Sequence, residues 1–483
     1  MRAFLIFAVT FFSYAYFYEG AGWNQNSRFD MVRAIVERGI LSIDDFQQNT
    51  EDKALAGGHY YSDKAPGLAL LAVPAAWAGQ TMLRVSSVDP VSPRGLRDLA
   101  YWVTVWAVAL PMAAACACLF WIAMQLGSSI SASAFASLSL GLATPMWAYS
   151  TLFWGHALAG ACLVFAFACA LHLRPGASSG ADLPWGLALG LTAGWATVTE
   201  YPSAPALVMV AGLALALVWN DGWPRRSRIA LGIGAGALPC IVTLMAYQHA
   251  AFGSVFHPSY AYYPPGTFSW MTHGYMGLTY PRIDVALKLL FSCRRGLLFS
   301  GPVTLVAPFG LRLLWKQPAT HAAAVTATAI AVYYFLFHAS FSSWPAGWTY
   351  GPRYMSPGLP LLCLGLAPLW DYARPAWRVV VGVLAAAGVG LTLIAVAVSA
   401  QPPDEFHCPL PEFYWPSFWA GRFSLNLGAT LIPAEQGTNQ VHGAFNLGQL
   451  AGLHGLVSLI PLLAVWALVA VLWARINRAE ARS

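Results

Sequence analysis

The acidic and basic side chains of this chain are concentrated in one stretch near its N-terminus. Only 10% of the 483 residues are charged. The stretch 24–67 nevertheless contains Arg28, Asp30, Arg33, Glu37, Arg38, Asp44, Asp45, Glu51, Asp52, Lys53, Asp63 and Lys64. Carboxylates can take a proton from a hydroxyl, and cations can hold a phosphate. Because charge is costly beside hydrophobic spans, we treat this stretch as the candidate site.

Asp30 is the candidate general base. It lies in R-F-D-M-V-R-A-I-V-E-R-G, where apolar residues recur at helical spacing, namely Phe29, Val32, Val36 and Ile40. This pattern predicts a short amphipathic helix on the membrane surface, with Asp30 at its polar edge. A carboxylate of slightly raised pKa in that position suits proton abstraction from an attacking hydroxyl. The alternative is a structural ion pair with Arg28 or Arg33.

A second group of candidates lies in G-G-H-Y-Y-S-D-K-A-P-G at positions 57–67. The two glycines allow a tight turn, and Pro66 favours a helix that starts just after it. The turn is predicted to present four side chains at the start of that helix, the substrate-binding candidates His59, Tyr60 and Asp63 and the phosphate-binding candidate Lys64. Two alternatives are open, a Lys64 side chain that extends to the membrane interface and a structural Asp63–Lys64 ion pair.

Further candidates lie far along the chain. Arg353 follows Gly-Pro at the end of an apolar run, and a guanidinium binds phosphate through two parallel hydrogen bonds. Arg295, in S-C-R-R-G, is a second phosphate-binding candidate, with anchoring to anionic lipids as the alternative. His156 and Glu200 are substrate-binding candidates, and the alternative for each is a polar residue whose hydrogen bonds are satisfied within the helix bundle.

Aromatic residues cluster near Arg353, in the run W-P-A-G-W-T-Y-G-P-R-Y at 344–354. Sugar rings stack on such side chains through their C–H faces, so Trp348 and Tyr350 are further substrate-binding candidates. Trp and Tyr are also enriched at membrane interfaces, which is the alternative explanation.

Composition restricts the class of protein. The chain is 58% hydrophobic with a mean hydropathy of +0.56, far outside the range of soluble domains. The apolar runs show no alternation of apolar and polar residues, which excludes a β-barrel and predicts an all-α polytopic membrane protein. No nucleic-acid motif accompanies the net charge of +6. Cys293 and Cys408 fall in predicted outer loops, where a disulfide and two free thiols are both open.

The distribution of Arg and Lys predicts the topology. With 67–83 as a surface-lying helix, the short inner loops and the C-terminal tail carry the basic residues, as the positive-inside rule requires. About twelve spans follow, with both termini inside, at 3–19, 99–124, 131–149, 155–172, 185–199, 203–219, 229–251, 297–314, 321–339, 355–370, 377–398 and 451–473. We predict a membrane module at 1–400 that includes the outer loop 20–98, an outer segment at 401–450, and a last span with a basic tail at 451–483.

Three motifs resemble the GT-C superfamily of glycosyltransferases. Y-Y-S-D-K-A-P-G after a loop carboxylate is similar to the first outer loop of protein O-mannosyltransferases and lipid A aminoarabinose transferases. A-T-P-M-W-A-Y-S at 143–150 and the G-P-R-Y run at 351–354 are similar to later segments. The chain departs from the family at Ala65, where a second proline is expected, and at His156, where an acidic residue is common.

The resemblance implies a function. It predicts transfer of a sugar from a polyprenyl-phosphate donor to an acceptor hydroxyl on a lipid, a cell-envelope glycan or a protein. Asp30 is the expected base, with Glu19 and Asp63 as its alternatives, and the transfer inverts the anomeric centre. We expect no cofactor and no metal, and an active site on the outer face of a bacterial inner membrane. The competing hypotheses are a transporter or lipid flippase and a non-catalytic assembly subunit.

Overall fold

The fold is described from a computed structural model that covers residues 1–174, 179–264, 266–428, 430–431 and 443–480. The strands are short. β1 (Phe17–Glu19) pairs antiparallel with β4 (Ala444–Asn446), which joins the start of the chain to its last quarter. β2 (Lys53–Ala56) and β3 (His59–Ser62) form a hairpin. Gly57 and Gly58 have φ values of 59° and 85°, so this turn needs residues without a Cβ.

Helices make up most of the structure. In the first half of the chain they are α1 Arg2–Tyr16, α2 Trp23–Arg33, α3 Gly67–Val85, α4 Pro93–Thr104, α5 Leu110–Gln125, α6 Ile130–Leu142, α7 Met146–Ser150, α8 Gly155–His172, α9 Asp182–Thr199, α10 Ala204–Leu217 and α11 Trp223–Phe252. In the second half they are α12 Ile283–Phe291, α13 Leu297–Ser300, α14 Ala307–Trp315, α15 His321–Ala339, α16 Leu359–Cys363, α17 Leu366–Tyr372, α18 Pro375–Val398, α19 Trp415–Trp419, α20 Leu447–Leu450 and α21 Ile460–Glu480.

The apolar helices confirm an integral membrane protein. Seven helical segments among the described residues are long and apolar enough to cross a bilayer, and four further apolar helices are shorter. Each of the twelve predicted spans coincides with a helix or a series of short helical segments. The count of twelve crossings stays a prediction, because length and composition alone identify seven.

An apolar helix, α3, directly follows the candidate loop. Pro66 is its N-cap and α3 begins at Gly67, as the proline position predicts. We predicted a surface-lying helix at 67–83, yet α3 is also long and apolar enough to span. Its first residue packs tightly on the end of α9, since a Cβ on Gly67 would lie 2.6 Å from the backbone nitrogen of Thr199. This contact brings the start of α3 beside Glu200.

Small residues allow close packing of α9 against α11. A Cβ on Gly190 would lie 2.0 Å from the carbonyl oxygen of Ile233, and one on Gly236 would lie 2.1 Å from that of Leu187. Membrane helices approach this closely only where glycine or another small residue lies at the interface. This packing fixes the position of α9, whose C-cap residue is Glu200.

Candidate functional site

Asp30 lies on α2, and this helix differs from the predicted surface helix. It begins earlier, at Trp23, and its polar residues from Asn24 to Asp30 are buried rather than facing water. Asn49 donates a hydrogen bond to Asp30 Oδ1 at 3.2 Å. Asp30 Oδ2 is buried and has no hydrogen-bond partner among the described residues.

Burial dominates the electrostatic setting of Asp30. Burial raises the pKa of its carboxyl to about 8, while the charge of Arg33 and the hydrogen bond from Asn49 act in the opposite direction. A carboxylate with a pKa near neutrality and a free oxygen can accept a proton from a bound hydroxyl. The proposed ion pairs with Arg28 and Arg33 are not formed, because Arg28 contacts Glu200 and Arg33 contacts Glu37.

Lys64 lies at the centre of a buried ion-pair group. Its Nζ is 2.8 Å from Asp52 Oδ2 and 2.8 Å from Asp63 Oδ2. Tyr263 donates a hydrogen bond of 2.6 Å to the same Asp63 oxygen, and Ser27 on α2 donates one of 3.3 Å to Asp63 Oδ1. Burial alone would lower the pKa of Lys64, but the two carboxylates outweigh it and raise the pKa.

Arg353 lies in a second buried polar group, built from both halves of the chain. Its Nε donates to His156 Nε2 at 2.9 Å, and its guanidinium lies over the ring of Trp154 at 4.3 Å. His156 Nδ1 is 3.5 Å from Glu200 Oε1, which also pairs with Arg28 Nη2 at 2.8 Å. No carboxylate in the part of the chain that the structure describes forms an ion pair with Arg353, although the charges of Asp52 and Glu200 act on it from farther away.

The two groups lie within electrostatic range of each other. The positive charge of Arg353 acts to lower the pKa of Lys64. Its effect is smaller than those of burial, Asp52 and Asp63, and the net pKa is raised. Arg28 and Ser27 are neighbours on α2, and they contact Glu200 in one group and Asp63 in the other. We call these residues together the central cluster, namely Ser27, Arg28, Asp52, Asp63, Lys64, Trp154, His156, Glu200, Tyr263 and Arg353.

Asp30 lies beside the central cluster, not within its ion pairs. It is one helical turn from Ser27 on α2, and its partner Asn49 is three residues from Asp52. The described charges that act on its pKa are Arg33 and Glu37. Asp30 and the cations therefore share a helix and a loop, and Asp30 follows Ser27 by one turn of α2.

Arg295 and Tyr350 line a separate pocket. Arg295 is 2% exposed and pairs with Asp404 at 2.9 Å. The Tyr350 carbonyl accepts a hydrogen bond from Tyr149 at 2.8 Å. Trp348 is half-buried nearby in sequence, on the loop that leads to Arg353. The lining of this pocket includes neither Lys64 nor Arg353.

His59 and Tyr60 are placed on the β2–β3 hairpin, away from the buried cations. The side chain of His59 is 61% exposed and its Nδ1 lies 2.7 Å from Asp44. The Tyr60 backbone N–H donates to Asp44 as well, and the Tyr60 ring lies under Lys53 at 5.3 Å. The hairpin holds these two residues at its surface and delivers Asp63 and Lys64 to the interior.

Sequence reasoning missed several members of the central cluster. Asp52 and Arg28 were visible only as charges in a crowded loop, and Tyr263 and Trp154 only as aromatic residues near the interface. Their places in the cluster depend on contacts between residues that are far apart in the sequence, such as Asp63 and Tyr263. No local sequence pattern predicts such contacts. Glu19 is buried, and its carboxylate accepts hydrogen bonds from Ser399 and Gln401 in the segment after α18.

Comparison with known proteins identifies the fold. No protein-family model and no curated protein sequence matches the chain.

Within residues 1–174, 179–264, 266–428, 430–431 and 443–480, no group of three or more His, Cys, Asp or Glu side chains is placed to hold a metal ion.

Solved structures do match. The crystal structure of ArnT from Cupriavidus metallidurans bound to undecaprenyl phosphate aligns with a TM-score of 0.54 and 18% identity, over 87% of this chain and 67% of that one. The apo state of the same protein aligns at 0.49 and 17%, over 86% and 66%. The oligosaccharyltransferase of Archaeoglobus fulgidus, in complex with Zn and sulfate, aligns at 0.47 and 12%, over 84% and 54%. On the first of these alignments, the chain has the GT-C fold that its sequence motifs indicated.

Proposed function

We propose that this protein is a membrane glycosyltransferase that transfers a sugar from a polyprenyl-phosphate donor to an acceptor hydroxyl. The observation that carries the proposal is the central cluster, in which the groups of the buried Lys64 and the half-buried Arg353 are linked through α2, because Ser27 contacts Asp63 and Arg28 contacts Glu200. Support also comes from the undecaprenyl phosphate bound to ArnT, the solved structure of similar fold.

In this proposal Lys64 and Arg353 hold the donor phosphate. Arg353 is the stronger candidate because its hydrogen bonds are to neutral groups and no carboxylate forms an ion pair with it among the described residues. Lys64 already contacts Asp52 and Asp63, so it exchanges part of an ion pair for the phosphate. Arg295, the third predicted phosphate ligand, donates to the carbonyl of Gly347 and so supports the loop that presents Arg353.

The proposed chemistry is a single displacement. Asp30 takes the proton of the acceptor hydroxyl, and that oxygen forms a bond to the anomeric carbon of the donor. The bond between this carbon and the phosphate oxygen breaks, and its electron pair leaves with the polyprenyl phosphate. Lys64 and Arg353 stabilise the charge of the leaving phosphate. One displacement without a covalent intermediate inverts the anomeric configuration.

The test is release of polyprenyl phosphate by the purified protein in lipid nanodiscs, supplied with candidate polyprenyl-phosphate sugars and acceptors. Wild type should release it, and Asp30→Asn should lose at least about 100-fold of that rate, as expected for removal of a general base. Asp45→Asn is the matched control, because Asp45 is an exposed carboxylate of the same loop that pairs with Arg38 at the surface.

Each result decides between the hypotheses. Wild-type turnover by Asp30→Asn would refute the assignment of the base. Movement of a labelled polyprenyl lipid between leaflets, without release of its phosphate from the sugar, would establish a flippase and overturn the proposal. Absence of both activities with every donor would favour a non-catalytic assembly subunit.

A further inference from the structure

The pocket beside Arg295 carries a chemistry that the proposed reaction does not use. It lies between the loop that joins α12 to α13 and the segment that follows α18. Its lining includes Arg294, Arg295, Thr349, Tyr350 and Tyr414.

Three hydrogen-bond donors of the pocket residues are buried without an acceptor. They are the Nε groups of Arg294 and Arg295 and the hydroxyl of Tyr414, and none has a partner among the described residues. Arg295 is 2% exposed and Tyr414 is 3% exposed. Buried polar groups in folded proteins are almost always paired, and an unpaired donor is destabilising. A ligand that accepts hydrogen bonds would satisfy these donors.

The charge of the pocket is also incompletely balanced. Arg294 and Arg295 share a single carboxylate, Asp404, at 3.4 Å and 2.9 Å. Asp404 is 40% exposed, so solvent screens its effect on the buried Arg295. Burial lowers the pKa of the Arg295 guanidinium although Asp404 raises it, as expected for a cation that lacks part of its counter-charge. An acceptor that also carries negative charge would satisfy both conditions.

The pocket and the central cluster contact the same loop. Arg295 Nη2 donates to the Gly347 carbonyl at 3.1 Å, and Arg353 Nη1 donates to the adjacent Ala346 carbonyl at 3.1 Å. Tyr149 fixes the end of the same loop through Thr349 and the Tyr350 carbonyl. A ligand in the pocket would therefore lie next to the proposed donor phosphate without sharing its ligands.

We infer that this pocket is an oxyanion subsite that holds a phosphate or carboxylate group of the acceptor, separate from the donor phosphate bound by Lys64 and Arg353. The identification of the bound molecule as the acceptor rests on the proposed function. The oxyanion site itself rests on the pocket. A guanidinium pair and a phenol hydroxyl match the geometry of phosphate and carboxylate oxygens. The acceptor is then an anionic molecule that also carries the attacking hydroxyl.

Binding can be measured without turnover. The full-length protein in nanodiscs is heated with inorganic phosphate, with acetate, or with a short-chain phosphatidic acid, and with chloride at equal ionic strength as the control anion. We expect phosphate or phosphatidic acid to raise the Tm of wild type more than chloride does. Stabilisation by inorganic phosphate alone indicates a small free anion, and stabilisation only by phosphatidic acid indicates a lipid head group.

The variants are chosen to fold. Tyr414→Phe removes only a hydroxyl, and Arg294→Gln changes a side chain that is 25% exposed. Both should weaken the apparent affinity for the stabilising anion at least about fivefold, as expected for loss of a hydrogen bond to a charged ligand. Lys288→Gln, an exposed residue of α12 that pairs with Asp284, is the matched control and should bind like wild type.

Two outcomes would overturn the inference. One is the absence of any anion-specific rise in the Tm of wild type. The other is a rise of equal size in wild type, Tyr414→Phe and Arg294→Gln, which would place the anion elsewhere. Release of polyprenyl phosphate is measured separately, and neither outcome changes its result. Failure of the subsite is therefore distinguishable from failure of the proposed function.

Discussion

Asp30 combines complete burial with an oxygen that has no partner among the described residues. Because burial raises the pKa of its carboxyl to about 8, this group is mostly protonated at neutral pH and becomes a competent base only as the pH rises. We expect kcat/KM for sugar transfer to increase with pH and to level off above an apparent pKa of about 8. A pH–rate profile measured from pH 6 to pH 10 checks this, and a rate that is flat across that interval would exclude Asp30 as the base.

The same raised pKa makes stability depend on pH. Asp30 binds its proton more tightly in the folded state than in the unfolded state, where its pKa is near 4. Folding stability therefore declines between about pH 4 and pH 8, by up to roughly 1.4 kcal/mol per pH unit from this group. Asp30→Asn should remove that contribution and be more heat-resistant than wild type at pH 8. The measurement is Tm against pH for both proteins, and Asp45→Asn should follow wild type.

Arg353 depends on its shape as well as its charge. It lies flat over Trp154 while its Nε donates to His156. Lysine keeps the charge but cannot stack and donate in this geometry. We expect Arg353→Lys to weaken binding of polyprenyl phosphate at least about tenfold, since hydrogen bonds to charged groups contribute about 1.5–3 kcal/mol. Equilibrium binding of the lipid gives the number, and unchanged affinity would show that charge alone suffices.

At the scale of elements, α9 and α11 pack through glycines. Gly236 has no room for a Cβ, whereas Gly234 on the same helix faces open space. Gly236→Leu should destabilise the protein by about 1–3 kcal/mol through overpacking, and Gly234→Leu should have little effect. The Tm values of the two variants in the same detergent provide the comparison. Equal losses would mean that the close contact between the two helices is not formed.

The loop after α12 and the segment after α18 pack together at their cysteines. Cys293 Sγ lies 3.6 Å from the carbonyl oxygen of His407, and the nearby thiol of Cys293 contributes to raising the pKa of Cys408 to about 12, after burial. Copper–phenanthroline and oxygen should therefore oxidise these two thiols to a disulfide in the membrane-bound protein. Mass spectrometry of non-reduced peptides detects the link. Absence of the link, with both thiols still reactive towards maleimide, would show that the two segments do not pack together at their cysteines.

The sequence determined some elements better than others. Apolar runs located the membrane helices, because lipid leaves a backbone without a partner except in a helix, and Pro66 located the start of α3. The β2–β3 hairpin and the burial of α2 were missed, because strand pairing and a polar helix interior depend on residues elsewhere. Asn26, for example, donates to the backbone of Thr430, and Asn49 to that of Leu431.

At the scale of the whole molecule, the fold brings the first loop, the corner before α8, the end of α9 and the loop before Arg353 to one region. Individual candidates such as Lys64 and Arg353 were evident from the sequence because their motifs are local. Their arrangement was not, since the Glu200 carboxylate that connects Arg28 to His156 lies more than 100 residues from Arg28. Likewise, nothing in the sequence distinguished His59, which is exposed, from Asp63, which is buried four residues later.

The central claim is that Lys64 and Arg353, almost 300 residues apart, bind the same phosphate. A double-mutant cycle on the equilibrium binding of polyprenyl phosphate tests it most directly, with wild type, Lys64→Gln, Arg353→Gln and the double variant. Shared binding of one phosphate predicts a coupling free energy of about 0.5–3 kcal/mol between the two positions. Strictly additive effects, or unchanged affinity in both single variants, would contradict the account.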